Sequence, residues 1–210
     1  MDTTLPDASH ALSAPVLLQL SPFDPMLLHE LYFASLGGNG EPMEPAMAQA
    51  LMASFGSVER WREEFAAMGN AHGGGSGADV DTVMENIHWA RVYERYQQAV
   101  YAASEPFGAT HDEVAGSTLL DVRRAGVFER ATAMIPGATW CDPSAVDRWA
   151  SELPAGRRVV VYCVYGHEVG RSTALRLRAM GLDARYLRGG FDGWQAAGRP
   201  VEAKLPTQSL

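Results

Sequence analysis

The chain has 210 residues, 47% of them hydrophobic and 20% charged, a balance that excludes a disordered protein and leaves room for two cores of about 100 residues each. The net charge of −8 is unevenly held: residues 1–105 carry 14 acidic and 4 basic side chains, residues 106–210 carry 11 and 13, so the first half argues against nucleic acid or an anionic membrane as partner. Two cysteines, Cys141 and Cys163, are too few for a disulfide framework and lack metal-ligand spacing, and with no basic leader and no run of about 18 apolar residues a cytoplasmic protein is expected.

Residues 1–20 show no sustained period and are expected to be a poorly ordered lead. Helical spacing begins at Pro25 and runs through Leu28, Leu31, Tyr32 and Leu36 to a stop at Gly37-Gly38. A second helix is predicted over Glu44 to Ala53. A third follows Ser57 as N-cap, with Val58, Trp61, Phe65 and Met68 on one stripe and an end at Gly69-Asn70. After the glycine-rich break at 73–77, Thr82-Val-Met-Glu85 reads as a capping box opening a helix that continues to about Tyr101.

Beyond Glu105-Pro106-Phe107-Gly108 the period changes. Thr118–Val122, Gly137–Trp140, Val159–Tyr162 and Ala184–Leu187 are short strand candidates, and helical spacing fills Ser144–Leu153, Arg171–Met180 and Phe191–Ala197 between or after them. This alternation predicts an α/β domain, a parallel sheet with helices on both faces, preceded by an all-helical region. The boundary is placed at residues 110/111.

Cys163 follows the run Arg158-Val159-Val160-Val161-Tyr162 and precedes a glycine-punctuated loop, Val164-Tyr165-Gly166-His167-Glu168-Val169-Gly170, that opens into a helix at Arg171. A thiol at a strand end, facing loop amides and the positive end of a helix, is where a thiolate becomes easier to form. Its ordinary pKa of about 8.5 must fall for efficient attack at neutral pH, and the loop amides are expected to supply that fall. The alternative is a buried structural cysteine. Cys141, in Trp-Cys-Asp-Pro, reads as a passive half-buried thiol.

Four ordered motifs carry a resemblance: Leu120-Asp121-Val122-Arg123, Ile135-Pro136-Gly137-Ala138, Val161-Tyr162-Cys163, and Tyr186-Leu187-Arg188-Gly189-Gly190-Phe191-Asp192-Gly193-Trp194. Together they resemble a rhodanese domain over residues 113–202. The resemblance implies a central parallel sheet and a catalytic Cys163 that carries sulfane sulfur as a persulfide from a small donor such as thiosulfate to a thiol or cyanide. It implies that residues 164–171 bind substrate and that Asp121 and Arg123 brace the catalytic loop. The loop counts seven residues where six are usual in this family, and Val169 stands where related seven-residue phosphatase loops have arginine, so phosphatase activity is not expected. His167 binds the donor or faces solvent, Glu168 is expected to face water, and Arg171 either replaces the displaced basic residue or lies on the surface.

Residues 22–100 resemble iron/manganese superoxide dismutase through Leu28-His29-Glu30-Leu31-Tyr32-Phe33-Ala34-Ser35-Leu36-Gly37-Gly38, Ser54-Phe55-Gly56-Ser57 and Asn86-Ile87-His88-Trp89. That family holds its metal on three His and one Asp. His29 matches one ligand; the others have no counterpart, and the segment carrying a second group would fall between Gly77 and Ala78. The expectation is a truncated, non-catalytic relic without cofactor, with His29 the candidate for an iron or manganese site if one exists. His72 and His88 are expected to be solvated or capping. Apolar surface around Trp61, Phe65 and Met68 then needs cover, from the second domain or from a second copy in a homodimer. Two other classes of function stay open: a redox- or sulfide-sensing module working through Cys163, and a dismutase-related metalloprotein.

Overall fold

The computed structural model describes residues 34–73, 77–154 and 156–204. The predicted lead and most of the predicted first helix, His29 included, lie outside them. The chain divides into two compact units, Met1–Glu94 and Arg95–Leu210.

The first unit is helical. Helix α1 (Pro45–Phe55) has proline in its first turn and turns Met47 and Leu51 inward. Helix α2 (Val58–Gly73) starts as predicted, the Arg60 amide donating to Ser57 Oγ at 3.0 Å. It then runs past Gly69-Asn70 to Gly73, so those residues are not its stop. Helix α3 (Gly77–Glu85) contains Thr82–Glu85 at its end, not at a start; the Asn86 amide donates to the Thr82 carbonyl in the ordinary helical way. The predicted continuous helix therefore breaks at residues 86–88, where Leu36 and Ile87 form an antiparallel bridge and the His88 amide donates to the Ser35 carbonyl at 2.8 Å. Leu36 belongs to that bridge, not to a helix. Helix α4 (Trp89–Ser104) resumes after it, and Trp89 meets Trp61 edge-on at 5.4 Å while Trp61 lies 5.7 Å from Phe65. Part of the Trp61 stripe is thus covered from within its own unit.

The second unit is a five-stranded parallel sheet. Its strands are β1 (Gly108–Ala109), β2 (Thr118–Asp121), β4 (Thr139–Trp140), β5 (Val159–Tyr162) and β6 (Ala184–Leu187), in the order β1-β6-β5-β2-β4. A separate antiparallel pair joins β3 (Ala133–Met134) to β7 (Glu202–Ala203). Helices α5 (Ala125–Arg130), α6 (Val146–Trp149), α7 (Glu168–Ala179) and α8 (Gly190–Ala196) connect them. The α/β class and the strands at 159–162 and 184–187 stand as expected. Strand β1 was not expected, because two residues, one of them glycine, give no period to read; only pairing with β6 defines it.

The central strand explains the fold's hydrophobic logic. All four residues of β5 are fully buried, and they alternate: Val159 and Val161 pack with Leu120, Val146, Ala174 and Leu177, whereas Val160 and Tyr162 pack on the other side with Leu119, Leu187, Phe191 and Trp194. Each such side chain contributes about 1.5–3 kcal/mol. This two-sided packing fixes the end of β5, and with it the position of Cys163.

Candidate functional site

Cys163 is 5% exposed and sits one residue past β5. The loop after it is shorter than predicted: Val164–Gly166 turn, His167 is the N-cap, and α7 starts at Glu168, three residues before Arg171. Glu168, Val169 and Gly170 are therefore the first turn of a helix. The amides of Gly170, Gly166 and His167 act on Sγ to lower its pKa, and the thiol donates to the His167 carbonyl at 3.9 Å. A first-turn amide and two loop amides converge on one sulfur atom, an anion nest.

Two glycines make this approach possible. Gly166 has φ +70°, and a Cβ there would meet the Leu187 carbonyl oxygen at 2.8 Å. Gly190, at φ +58°, would place a Cβ 2.6 Å from the Cys163 carbonyl oxygen. Without those side chains, α8 lies directly under the loop, its Phe191 and Asp192 amides donating to the Cys163 and Val164 carbonyls, each at 2.9 Å. The Gly189-Gly190 motif thus shapes the loop from below. A Cβ on Gly170 would lie 3.4 Å from Sγ.

The thiol's acidity runs against expectation. Burial pushes the Cys163 pKa up, the three amides pull it down, and the Glu168 carboxylate raises it again; the net direction is upward. The amide nest reduces the cost of the anion and does not cancel desolvation. Glu168 also departs from expectation. It is buried, not water-facing, and its carboxylate accepts from Arg124 at 2.5 Å. Cys141 is half-buried with its thiol pushed up to about 11, chiefly by burial and then by Asp121, as suits a passive thiol.

Asp121 and Arg123 form a fully buried ion pair, with Arg123 Nε 3.0 Å from both carboxylate oxygens and a terminal nitrogen 2.5 Å from Oδ2. Tyr162 donates to Asp121 Oδ2 at 3.0 Å and accepts from the Ile135 amide at 3.2 Å, and burial keeps its phenol protonated. The Arg123 guanidinium lies over the Phe191 ring at 4.7 Å. The pair ties the end of β2 to β5 through Tyr162 and to α8 through Phe191.

Arg171 is committed too. Its Nε donates to the Gly166 carbonyl at 3.0 Å; a terminal nitrogen donates to Ser104 Oγ and Glu105 Oε2, both at 3.1 Å. The guanidinium is held between the rings of Tyr101, 4.3 Å away, and Tyr186, 4.1 Å away. Arg171 holds the loop from behind and is not free to bind an anion. Glu105 also takes Arg188 at 2.6 Å, and these hydrogen bonds hold its carboxyl at about 2. Tyr165 is 56% exposed, His167 is exposed, and their rings lie 5.5 Å apart; Val164 is half-buried and Val169 packs on the core. Sequence reasoning missed Tyr101, Ser104, Glu105 and Arg124. Tyr101, Ser104 and Glu105 precede the rhodanese-like motifs by residue number, and no local pattern marks contacts across 66–70 residues.

Among the described residues no three or more His, Cys, Asp or Glu side chains gather as a metal site, and His29 lies outside those residues. Nor is any helix among the described residues long and apolar enough to cross a membrane.

With this geometry, comparison with known proteins places the chain. Residues 108–197 match the rhodanese-like domain family, five residues earlier at the start and five earlier at the end than the motifs alone suggested, and the chain belongs to that family. It is 33% identical to thiosulfate sulfurtransferase GlpE of Actinobacillus pleuropneumoniae over 88 residues, 41% of this chain and 79% of that protein. A full-length Lactobacillus plantarum protein of known structure is 23% identical over 53% of this chain and 99% of its own, with a TM-score of 0.45. The N-terminal helical part is related to superoxide dismutase [Fe] of Cupriavidus metallidurans, 52% identical over 125 aligned positions, with 36% of this chain and 63% of that protein covered. The chain thus spans less than two thirds of the dismutase. Because 125 positions occupy only 36% of the chain, part of the dismutase inside the matched span has no counterpart here.

Proposed function

We propose that the chain is a sulfurtransferase that carries sulfane sulfur as a persulfide on Cys163, from a donor such as thiosulfate to a thiol or cyanide. One observation carries the reading: Sγ lies at the end of the central strand against the first turn of α7, a Cβ on Gly170 being 3.4 Å from it, and the amides of Gly166, His167 and Gly170 act to lower its pKa. The Cys163 thiolate attacks the outer sulfur of thiosulfate, the S–S bond of the donor breaks with its electron pair on the departing sulfite, and Cys163 keeps one added sulfur. That sulfur lies about 2 Å beyond Sγ. The acceptor then takes it and regenerates the thiolate.

The resting thiol is protonated at neutral pH by its burial, so attack draws on a minor thiolate fraction. That same burial favours a second reading, a sulfide- or oxidant-sensing module in which Cys163 loads sulfur once and passes it on slowly. Steady thiosulfate:cyanide turnover separates the two. The sulfurtransferase reading predicts many turnovers per chain, lost entirely in Cys163→Ser; a single loading event without turnover supports the sensor, and undiminished turnover in Cys163→Ser refutes both. Further expectations complete the reading: cytoplasmic location, no cofactor, and a non-catalytic helical half that docks a partner or a second copy.

A further inference from the structure

The family match begins at residue 108, yet the surroundings of Cys163 include a residue before it. Tyr101, in the last turn of α4, places its ring 6.1 Å from the His167 imidazole, which lies 5.5 Å from the Tyr165 ring. Tyr101 is fixed there by Arg171, whose guanidinium lies 4.3 Å over its ring and donates to its carbonyl at 3.5 Å. Its phenol pKa is raised, first by burial. Two of the three rings come from the loop and one from a separate helix.

The charges around this rim are already paired. Arg124 is taken by Glu168, Arg171 by Glu105 and the Gly166 carbonyl, and Arg123 by Asp121. A dianion such as thiosulfate finds neutral amides and a nearby carboxylate, and none of these three guanidiniums is free to clamp it. An organic donor gains what the dianion cannot, burial of its apolar body against Tyr101, Tyr165 and His167.

Resting on the sulfurtransferase reading, we propose that Tyr101, Tyr165 and His167 form a specificity-determining rim that selects an organic sulfur donor, a thiosulfonate or persulfide with an apolar or aromatic group, over the inorganic dianion. With an aryl thiosulfonate the thiolate attacks the outer sulfur, the S–S bond breaks with its electron pair on the sulfinate, and Cys163 is left as persulfide. Charge and atoms balance without a further reactant.

The test uses the full-length chain with benzenethiosulfonate and thiosulfate as donors, and reads the rate of sulfur addition to Cys163 by mass spectrometry. The aryl donor's greater intrinsic reactivity cancels when the ratio of the two rates is compared between variants. That ratio is expected to fall about tenfold in Tyr101→Ala and about fivefold in Tyr165→Ala, the worth of an aromatic contact, and to stay near wild type in Tyr101→Phe, which keeps the ring. Tyr165 is 56% exposed, so its variant reports even if Tyr101→Ala does not fold. An unchanged ratio in every folded variant, with both donors loading Cys163, overturns the rim alone. Failure of both donors to load the wild-type chain overturns the rim together with the sulfurtransferase reading.

Discussion

At the scale of single residues, the Cys163 thiol is pulled two ways, and the direction of the sum sets its pH behaviour. Burial and the Glu168 carboxylate raise its pKa, three amides lower it, and the sum is upward. An acid with a raised pKa is protonated at neutral pH, and its thiolate fraction grows about tenfold per pH unit until the pKa is reached. Alkylation of Cys163 by iodoacetamide is therefore expected to climb with pH and to bend above the ordinary thiol value of about 8.5. A bend below about 7.5 would contradict this account of the thiol. Glu168→Gln removes a carboxylate that acts on the sulfur and is expected to move the bend down by up to about one pH unit. The Asp121–Arg123 pair makes a separate stability prediction. Arg123→Met leaves a carboxylate that is fully buried without its guanidinium, and urea unfolding should show a loss of about 3–5 kcal/mol.

At the scale of elements, the site is the meeting of a strand end, a helix start and a glycine pair. Strand β5 was legible because four uncharged residues, three of them valine, are bounded by charged and loop-forming neighbours, and its two-sided burial is what such a run implies. The start of α7 was not, because Glu168-Val169-Gly170 reads locally as loop; its helical state depends on amides turning toward Sγ and on Arg124 taking the Glu168 carboxylate from 44 residues away. The same limit applies to Arg171. Sequence alone left it between substrate binding and the surface, and the partners that decide against both, Tyr101, Ser104 and Glu105, are remote along the chain. Tyr162 gives a test at this scale. Tyr162→Phe leaves the buried Ile135 amide without its acceptor and takes one of three donors from Asp121 Oδ2, which keeps Arg123, and is expected to cost about 1–3 kcal/mol in urea unfolding.

At the scale of the whole chain, the rhodanese-like unit is larger than the family match. Residues 95–107 belong to the second compact unit, and they supply Tyr101, Ser104 and Glu105 to Arg171 and Phe107 to Arg178, whose guanidinium lies 3.7 Å over that ring. Strand β1 at 108–109 covers the edge of β6. A chain beginning at residue 95 should therefore unfold cooperatively near the melting temperature of the second unit in the full chain. One beginning at the predicted boundary, residue 111, loses both β1 and the Arg171 clamp, and is expected to melt at least 5 °C lower or to aggregate through the bared strand edge. Equal melting of the two would show that the earlier boundary is sufficient. The helical half was recognisable from its motifs, but its break at residues 86–88 was not, since the pairing of Leu36 with Ile87 spans half of that unit.

The central claim is that Cys163 takes up one sulfur atom and gives it away. Intact-protein and peptide mass spectrometry after exposure to thiosulfate, followed by cyanide, measures both steps on the residue itself. The account predicts the mass of one added sulfur on the peptide bearing Cys163 and none on that bearing Cys141, with return to the unmodified mass and release of thiocyanate on adding cyanide. A Cys163 peptide that never gains that mass, at any pH up to the bend of its alkylation profile, would contradict it.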